Sequence, residues 1–528
     1  MRVLITDPLK GPWQEILRAE GLEADYRPEL AASDLPQAVA DADALVVRSR
    51  TKVTADVIAA APRLRVIGRA GTGVDNVDVE AATRAGIVVM NSPHANAVST
   101  AELTLAMLLA LARHVPAADR SLREGRWTPQ SFLGTELRGK RLGVLGLGKI
   151  GREVAARARA FGMEVDGYDP ILSPEAAARM GVTLLPFEDV LARADFLTVH
   201  TPLTPETRHL IGDAALARAR SGVRIVNCAR GGIVDEAALI RALDSGHVAA
   251  AGLDVFETEP PPPSGLLRHP RVVLTPHLGA STAEAQEESA RDILRQVAAA
   301  LRRGVVQNAV NMAAVEPELL RKLGPFLTLA ERLGCLAGQM AAGPVRGIAV
   351  TYQGEIADLP TRPLTVALLK GLLSQHLDSP VNEVNALPFA RERDIQVEEA
   401  HAAQHEDFAS LITVSISGAA RPLRLQGTLF GKKEPRLVGL DGFRPDAVLS
   451  GELLVFQNRD TPGVVGRVGT LLGSRGMNIA TVSLGRDQAA GLALAVFVLD
   501  APPTPDLLRE IEGLPGMSWA RRVRLPCP

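Results

Sequence analysis

The run Leu142-Gly-Val-Leu-Gly146-Leu-Gly148-Lys-Ile-Gly151 constrains the fold of this chain more than any other stretch. A short apolar segment ends in G-x-G-x-x-G, and a helical pattern begins at once, with Ile150, Val154, Ala158 and Phe161 on one stripe. In that setting each glycine has a separate task. Gly146 permits the tight turn, Gly148 lets a pyrophosphate approach the backbone, and Gly151 allows the helix to pack close to the strand. The phosphates would rest on the positive N-terminus of the helix. Asp169 arrives 23 residues after Gly146, at the end of the next β-rich segment. A carboxylate there accepts hydrogen bonds from ribose hydroxyls and repels a 2′-phosphate, so the expected cofactor is NAD and not NADP.

Around this motif, β-rich segments alternate with helical patterns from residue 1 to about 310. They include 3–6, 44–47, 65–67, 87–90, 141–145, 164–167, 196–200, 224–227, 249–253 and 272–275. Such alternation implies βαβ units and largely parallel sheets with helices on both faces. A length of 528 residues fits roughly three or four domains. Residues 313–450 mix helix and strand patterns and carry no nucleotide or metal motif. Beyond them come a strand at 452–457, the turn Asp460-Thr-Pro-Gly463, a helix to about Arg475, strands at 479–485 and 492–499, and a helix at 505–511. That order, βαββα with a possible closing strand, is a ferredoxin-like module.

Charge and cysteine usage exclude several function classes. The 58 basic and 60 acidic residues leave a net charge of −2, which gives no global pull toward nucleic acid or anionic membrane. The most apolar stretch, 103–112, lies between Glu102 and Arg113-His114 and is too short to span a bilayer. The opening Met1-Arg-Val-Leu-Ile-Thr-Asp7 reads as a strand and not as a signal peptide. Cys228, Cys335 and Cys527 lack metal-ligand spacing and cannot build a disulfide framework. No metal is expected, and the cytoplasm is the expected compartment.

A second glycine cluster, Gly68-Arg-Ala-Gly71-Thr-Gly73, also follows a β-rich segment. Its order is G-x-x-G-x-G, and Met90-Asn91 stands where a dinucleotide site would have an acid. It reads as a turn offering backbone N–H groups to an anion. Three charged residues stand at segment ends beyond the nucleotide motif: Arg230 in Asn227-Cys-Ala-Arg-Gly-Gly232, Glu259 before Pro260, and His277 in Thr275-Pro-His-Leu-Gly-Ala-Ser281. Singly, each has a plain structural explanation, as an ion-pair partner, a solvated loop acid and a satisfied histidine. Together, and in this order, they resemble the Arg, Glu and His of the D-isomer-specific 2-hydroxyacid dehydrogenases over about residues 1–312.

The roles that this resemblance implies are chemically consistent. Oxidising a secondary alcohol by hydride transfer leaves a hydroxyl proton, which His277 suits as base. Glu259 beside the imidazole would stabilise its protonated form. Arg230 offers a planar fork for a substrate carboxylate. The resemblance further implies two doubly wound α/β domains of Rossmann type, a discontinuous substrate domain (1–97 and 283–312) around an NAD-binding domain (98–282). The NAD site would be lined by Thr72, Gly146, Gly148, Lys149, Ile150, Gly151, Asp169, Thr201, Cys228, Ala229, Arg230, Asp254, His277, Leu278, Gly279 and Ala280. Arg48, Arg69, Gly71, Thr72, Gly73 and Asn96 would face the substrate. For Arg48 and Arg50, a solvated strand end is the alternative.

The last third narrows the branch. Val381-Asn-Glu-Val-Asn-Ala386, 427–436 and Asp441-Gly-Phe443 resemble the intervening domain of long-form D-3-phosphoglycerate dehydrogenases, an α+β unit of allosteric substrate-binding type spanning 313–450. Residues 452–528 resemble an ACT domain, a ferredoxin-like regulatory module. This branch implies NAD-dependent oxidation of D-3-phosphoglycerate to 3-phosphooxypyruvate, the first step toward L-serine. It also implies feedback by L-serine, a side activity reducing 2-oxoglutarate, and a homo-oligomer, expected to be a tetramer. Serine is expected at Asn458, Asp460 and Asn478, on two turns taken to share one edge of the module; simple turn formation is the alternative. Family members often place a basic residue soon after the tryptophan corresponding to Trp127, reaching a neighbouring subunit's phosphate. Here Thr128-Pro-Gln130 follows, so this contact is not expected unless Arg126 substitutes. The rival readings are a dehydrogenase acting on glycerate or 2-hydroxyglutarate, and an NAD-sensing corepressor that retains the Arg–Glu–His set.

Overall fold

The computed structural model describes residues 1–526 except 314–316, 342, 378, 403–406, 419–420 and 488. Its first half is built on two parallel sheets. The first has five strands in the order Glu23–Tyr26, Arg2–Ile5, Ala44–Val47, Val66–Arg69, Val88–Asn91. The second has seven, in the order Val272–Leu274, Val248–Leu253, Val223–Asn227, Phe196–Val199, Arg141–Leu145, Glu164–Tyr168, Thr183–Leu184. Central strands such as Ala44–Val47 and Phe196–Val199 are buried at every position, as expected of strands covered on both faces. The expected segments all appear, within two residues at each end. Two strands went unread, Glu23–Tyr26 and Thr183–Leu184. Both are edge strands, short and partly exposed, so neither carries a continuous apolar run.

The chain crosses between the two sheets twice. It leaves the first at Asn96, where the helix Ala97–Arg113 begins, and returns at Thr282, which caps the helix Ala283–Arg303 through a hydrogen bond from Ala285 N. The longer helix lies across the five-stranded sheet and buries Ile293, Leu294 and Val297 there. The other packs against the helix Lys149–Ala160 and the strands Val223–Asn227 and Val248–Leu253. The two crossings are joined to each other. Ser99 Oγ and Thr282 Oγ1 are 2.8 Å apart, and Thr100 Oγ1 donates to Gly279 O at 3.1 Å.

After Arg303 the chain runs back along the edge strand Val88–Asn91. Asn311 fastens it there, accepting from Val89 N at 2.9 Å and donating to Ile87 O at 2.9 Å and to Thr83 Oγ1 at 3.0 Å. A six-stranded mixed sheet follows, ordered Gln396–Ala402, Gly347–Gly354, Ser410–Ser417, Leu423–Phe430, Glu434–Leu440, Ala447–Val448; only the first pair is parallel. The helices Pro317–Met340 and Arg362–Leu373 cover it. Asn382 reaches back to the first half, donating to Gly86 O at 2.7 Å.

The C-terminal sheet is antiparallel, ordered Ile479–Asp487, Leu492–Leu499, Gly451–Arg459, Met517–Leu525. The closing strand Met517–Leu525 is present. One face is covered by the helices Val464–Ser474 and Pro505–Glu512. From the other face Leu453, Val455, Leu494, Val496 and Val523 enter the core of the six-stranded unit, so these two bodies share one apolar interior. Gln339 joins them at the backbone level, donating to Arg524 O at 3.0 Å and accepting from Arg524 N at 2.9 Å.

Cys228 is a free buried thiol, and Cys335 is fully buried in the shared core. Cys527 lies outside the described residues. Among the described residues no single helix is long and apolar enough to cross a membrane. Asn311→Ala should release the returning segment and leave Val89 N without its partner. A loss of about 1–3 kcal/mol is expected for a buried donor left unpaired, measured by urea unfolding followed through fluorescence.

Candidate active site

The strand Arg141–Leu145 has Phe196–Val199 on one side and Glu164–Tyr168 on the other, so the crossover direction reverses at its C-terminal end. A crevice forms at such a switch point in open α/β sheets, and Gly146 opens there. The three glycines differ in the space around them. Gly146 has φ +91° and a Cβ would lie 2.7 Å from His200 O; at Gly151 a Cβ would lie 2.0 Å from Gly146 O. A Cβ on Gly148 would meet nothing within 4 Å. Two glycines are therefore demanded by the turn and the helix–strand approach, and the third leaves open backbone at the first turn of the 12-residue helix Lys149–Ala160.

Asp169 closes the adjoining strand and accepts from Leu147 N at 2.9 Å, Ile171 N at 3.0 Å and Leu172 N at 3.1 Å. Three of its roughly four acceptor positions are thus taken, leaving one for a ribose hydroxyl. Thr201 Oγ1 is buried beside the same turn, without a partner among the described residues. Open backbone, a helix N-terminus, a strand-end carboxylate and an unpaired hydroxyl together fit a dinucleotide. Beneath the turn, burial pushes the His200 imidazole down to about 3, so it is neutral. Burial, with Asp254 adding to it, pushes the Cys228 thiol up to about 12 against a hydrogen bond from Thr104, so Cys228 packs as a neutral group. Lys149 Nζ lies 2.8 Å from His94 Nε2, across the crevice.

His277 and Glu259 meet at this crevice. His277 Nδ1 and Glu259 Oε2 are 2.7 Å apart, and Phe256 N donates to the other carboxylate oxygen at 3.1 Å. Burial raises Glu259, but the bonds from His277 and Phe256 and the charge of Arg230 outweigh it, so its carboxyl lies below its ordinary value. His277 takes a left-handed φ of +54°, unusual for a residue with a Cβ. Asp254 imposes it. Fully buried, this carboxylate accepts from Thr275 Oγ1 and Leu278 N at 2.6 Å and from Gly279 N at 2.8 Å, while its own carbonyl takes His277 N at 2.8 Å. Ala229 and Gly279 are buried near the crevice, and Ile150, Leu278 and Ala280 are at least partly accessible. A cavity of about 370 Å³ opens against the His277–Glu259 pair, with Phe256, Leu267 and Leu274 among its apolar walls.

Arg230 faces the second glycine turn. Its loop is held by Asn227, which accepts from Ala229 N at 3.0 Å and donates to Arg230 O at 2.9 Å. A Cβ on Gly73 would lie 1.9 Å from Arg230 Nη2, so this turn of the five-stranded unit lies directly against the guanidinium. Gly71, at φ +144°, likewise makes room for Arg69 Nη1. Arg69 Nε is buried without a partner among the described residues, and burial pushes its guanidinium down to about 10, with Arg230 and Arg48 adding repulsion. Arg48 is half-buried and contacts Pro8 O at 3.4 Å, whereas Arg50 is tied to Asp7 at 3.1 Å and to Thr6 O at 2.7 Å. Arg50 is a structural strand-end residue. Thr72 Oγ1 bonds Asn96 Oδ1 at 2.7 Å. Sequence reading missed Asp75, His94 and Asn227; a carboxylate next to the second glycine turn was the available signal for Asp75.

The residues expected to bind serine, Asn458, Asp460 and Asn478, are arranged differently from the expectation of one shared edge. Gly451–Arg459 and Ile479–Asp487 both pair antiparallel with Leu492–Leu499, so they run in the same direction. Asn458 and Asp460 at the end of one strand and Asn478 at the start of the other therefore lie at opposite ends of the sheet. A βαβ crossover returns the chain to the end where it began, which is the physical reason. Asp460 is paired with Arg486 at 2.6 Å and Asn478 with Asp500 at 2.7 Å, while Asn458 Oδ1 is buried without a partner among the described residues. Trp127 is 81% exposed, and Arg126 is engaged with Glu124.

Comparison with known proteins accords with this geometry. Residues 105–279 match the NAD binding domain of the D-isomer specific 2-hydroxyacid dehydrogenases, 322–441 the D-3-phosphoglycerate dehydrogenase intervening domain, and 453–516 the ACT domain. A protein of Archaeoglobus fulgidus named D-3-phosphoglycerate dehydrogenase is 44% identical over 528 residues, covering 99% of this chain and 100% of that protein. One of the same name from Bacillus subtilis is 41% identical over 526 residues, with 99% and 100% covered. Among solved structures, a glyoxylate reductase from Paecilomyes thermophila is similar at 34% identity and a TM-score of 0.54, over 59% of this chain and 98% of that one. The D-lactate dehydrogenase of Escherichia coli is similar at 26% identity and a TM-score of 0.52, over 59% and 100%. The chain belongs to the D-isomer-specific 2-hydroxyacid dehydrogenases, in the D-3-phosphoglycerate dehydrogenase family with its intervening and ACT domains.

Proposed function

We propose that this protein oxidises D-3-phosphoglycerate to 3-phosphooxypyruvate with NAD, the first step toward L-serine. The observation that carries the chemistry is the 2.7 Å contact between His277 and Glu259 at the crevice beside Arg230. With Nδ1 directed at the carboxylate, Nε2 is the nitrogen left to take the hydroxyl proton, and Glu259 stabilises the imidazolium that results. Arg230 receives the substrate carboxylate, and Arg69 and Arg48 supply positive charge for the rest of a multiply charged acid. When bound, NAD supplies the hydride acceptor. Reading 1–97 with 283–312 as the substrate domain and 98–282 as the NAD domain is supported by the crossings at Asn96 and Thr282. Residues 313–450 and 452–528 are read as the regulatory bodies.

Purified protein with NAD and a trap for the oxo product should turn over D-3-phosphoglycerate in preference to lactate, glycerate and 2-hydroxyglutarate. Turnover of one of the others in its place would assign a different member of the family, and no turnover at all would favour an NAD-sensing role. His277→Asn, chosen because Asn tolerates a left-handed φ, should lower kcat by roughly 10²- to 10⁴-fold while NAD affinity stays nearly unchanged.

L-serine is the proposed effector, acting at the ACT module of a homo-oligomer, a tetramer in this reading. Because Asn458 and Asp460 lie at the opposite end of the sheet from Asn478, the proposed site draws on two copies paired edge to edge. Asp460 would accept from the serine ammonium, and the Asn amides would bind its carboxylate or hydroxyl. Calorimetry should show serine binding that Asp460→Ala abolishes; equal binding by both proteins would defeat this site.

A further inference from the structure

The cleft between the two parallel sheets gathers three arginines, Arg48 and Arg69 from the five-stranded unit and Arg230 from the seven-stranded one. Two carboxylates stand near enough to offset the charge on Arg69, Asp75 and Asp7. Asp7 is occupied. It accepts from Arg48 N, Thr51 N, Thr51 Oγ1 and Arg50 Nε, and is 1% exposed. Asp75 is in a different position. Its side chain is 71% exposed, and its Oδ2 lies 3.0 Å from Arg230 Nε. This is a contact between the two units, and it falls on the guanidinium proposed to receive a substrate carboxylate.

The backbone at Asp75 is held independently of that contact. Asn76 Nδ2 donates to Arg48 O at 2.7 Å and to Thr51 O at 2.6 Å, and Val53 N donates to Asn76 O at 2.8 Å. The Asp75 side chain can therefore swing into water while the turn stays fixed. Gly73 makes the neighbouring space available, because a Cβ there would lie 1.9 Å from Arg230 Nη2 and 2.7 Å from Asp75 Oδ2. A carboxylate of the protein itself thus occupies the place where a carboxylate of the ligand would bind.

We propose that Asp75 is an internal competitor for Arg230, paired with it in the ligand-free protein and displaced by an anionic substrate, so that it sets the affinity and selectivity of the cleft for anions. The proposal rests on the reading of Arg230 as the carboxylate-binding residue. An exposed ion pair of this kind changes an equilibrium by at most about five-fold. Removing the negative charge also makes the cleft more attractive to a multiply charged anion, in the same direction and with a salt dependence. The opposite role, Asp75 as a strut that aims Arg230, predicts the opposite sign.

Asp75→Asn keeps the shape and removes the charge. It should lower KM for D-3-phosphoglycerate about two- to five-fold at low ionic strength, leave KM for NAD and kcat nearly unchanged, and strengthen inhibition by inorganic sulfate by a similar factor. A raised KM, or a fall in kcat, would overturn the proposal in favour of a strut. Calorimetry with oxalate separates the two readings without turnover. If Arg230→Gln weakens oxalate binding and Asp75→Asn does not tighten it, the competitor role alone fails. If Arg230→Gln leaves oxalate binding unchanged, the assignment of Arg230 fails, and the competitor role with it.

Discussion

A single buried carboxylate, Asp254, organises the reactive end of this molecule. It sits at the end of a central strand with no solvent exposure, and it collects a hydroxyl and two backbone N–H groups within 2.6–2.8 Å. A charge so deeply buried is tolerated only when its acceptor positions are filled. Filling them bends the 275–279 loop around the carboxylate, and that bend holds His277 at φ +54° with its ring toward Glu259. Leaving either N–H unpaired would cost about 1–3 kcal/mol, which is comparable to the strain of an unfavourable backbone conformation. The satisfied anion stabilises the loop in a conformation it would otherwise avoid.

The second constraint is positive charge. Arg69 is buried enough that its guanidinium is pushed down to about 10, and Arg230 and Arg48 repel it further. Such a cluster is unfavourable without an anion. Among the described residues Asp75 partly offsets it from the exposed side, and the field that remains favours a small polyanion in the cleft. On the opposite side of the crevice several buried groups carry no charge or are already satisfied: His200 is uncharged, Cys228 is protonated, and Asp169 is largely occupied by backbone N–H groups. The two walls of one crevice thus differ in chemistry, with cationic residues on one side and backbone donors on the other.

The C-terminal bodies are joined more tightly to each other than to the first half. The ACT sheet places Leu453, Val455 and Val496 in the core of the six-stranded unit, and Gln339 pairs with both backbone groups of Arg524. Their links to the first half include hydrogen bonds at the rim of the five-stranded sheet, from Asn382 to Gly86 O and from Asn385 to Arg84 O. Both links meet the 83–91 segment, which continues into Asn91 and Asn96 beside the second glycine turn.

The sequence by itself determined the alternation of strands and helices, the dinucleotide turn, the three charged residues and the order of the domains, because these are written in local periodicity and in residue types with few alternative uses. Gly151 is legible from spacing alone, since nothing larger fits where a Cβ would lie 2.0 Å from Gly146 O. Edge strands such as Glu23–Tyr26 were not legible, because a strand with solvent on one side has no continuous apolar signal. Tertiary structure alone decided which charges meet. Asp75 and Arg230 are 155 residues apart in the chain, and no local pattern links them. It also decided that Asn458 and Asn478 lie at opposite ends of one sheet, because strand direction depends on pairing through Leu492–Leu499 and not on the residues of the turns. Local chemistry selects the elements, while contacts between distant residues are fixed only when the sheets close, because their energies depend on distance in space and not along the chain.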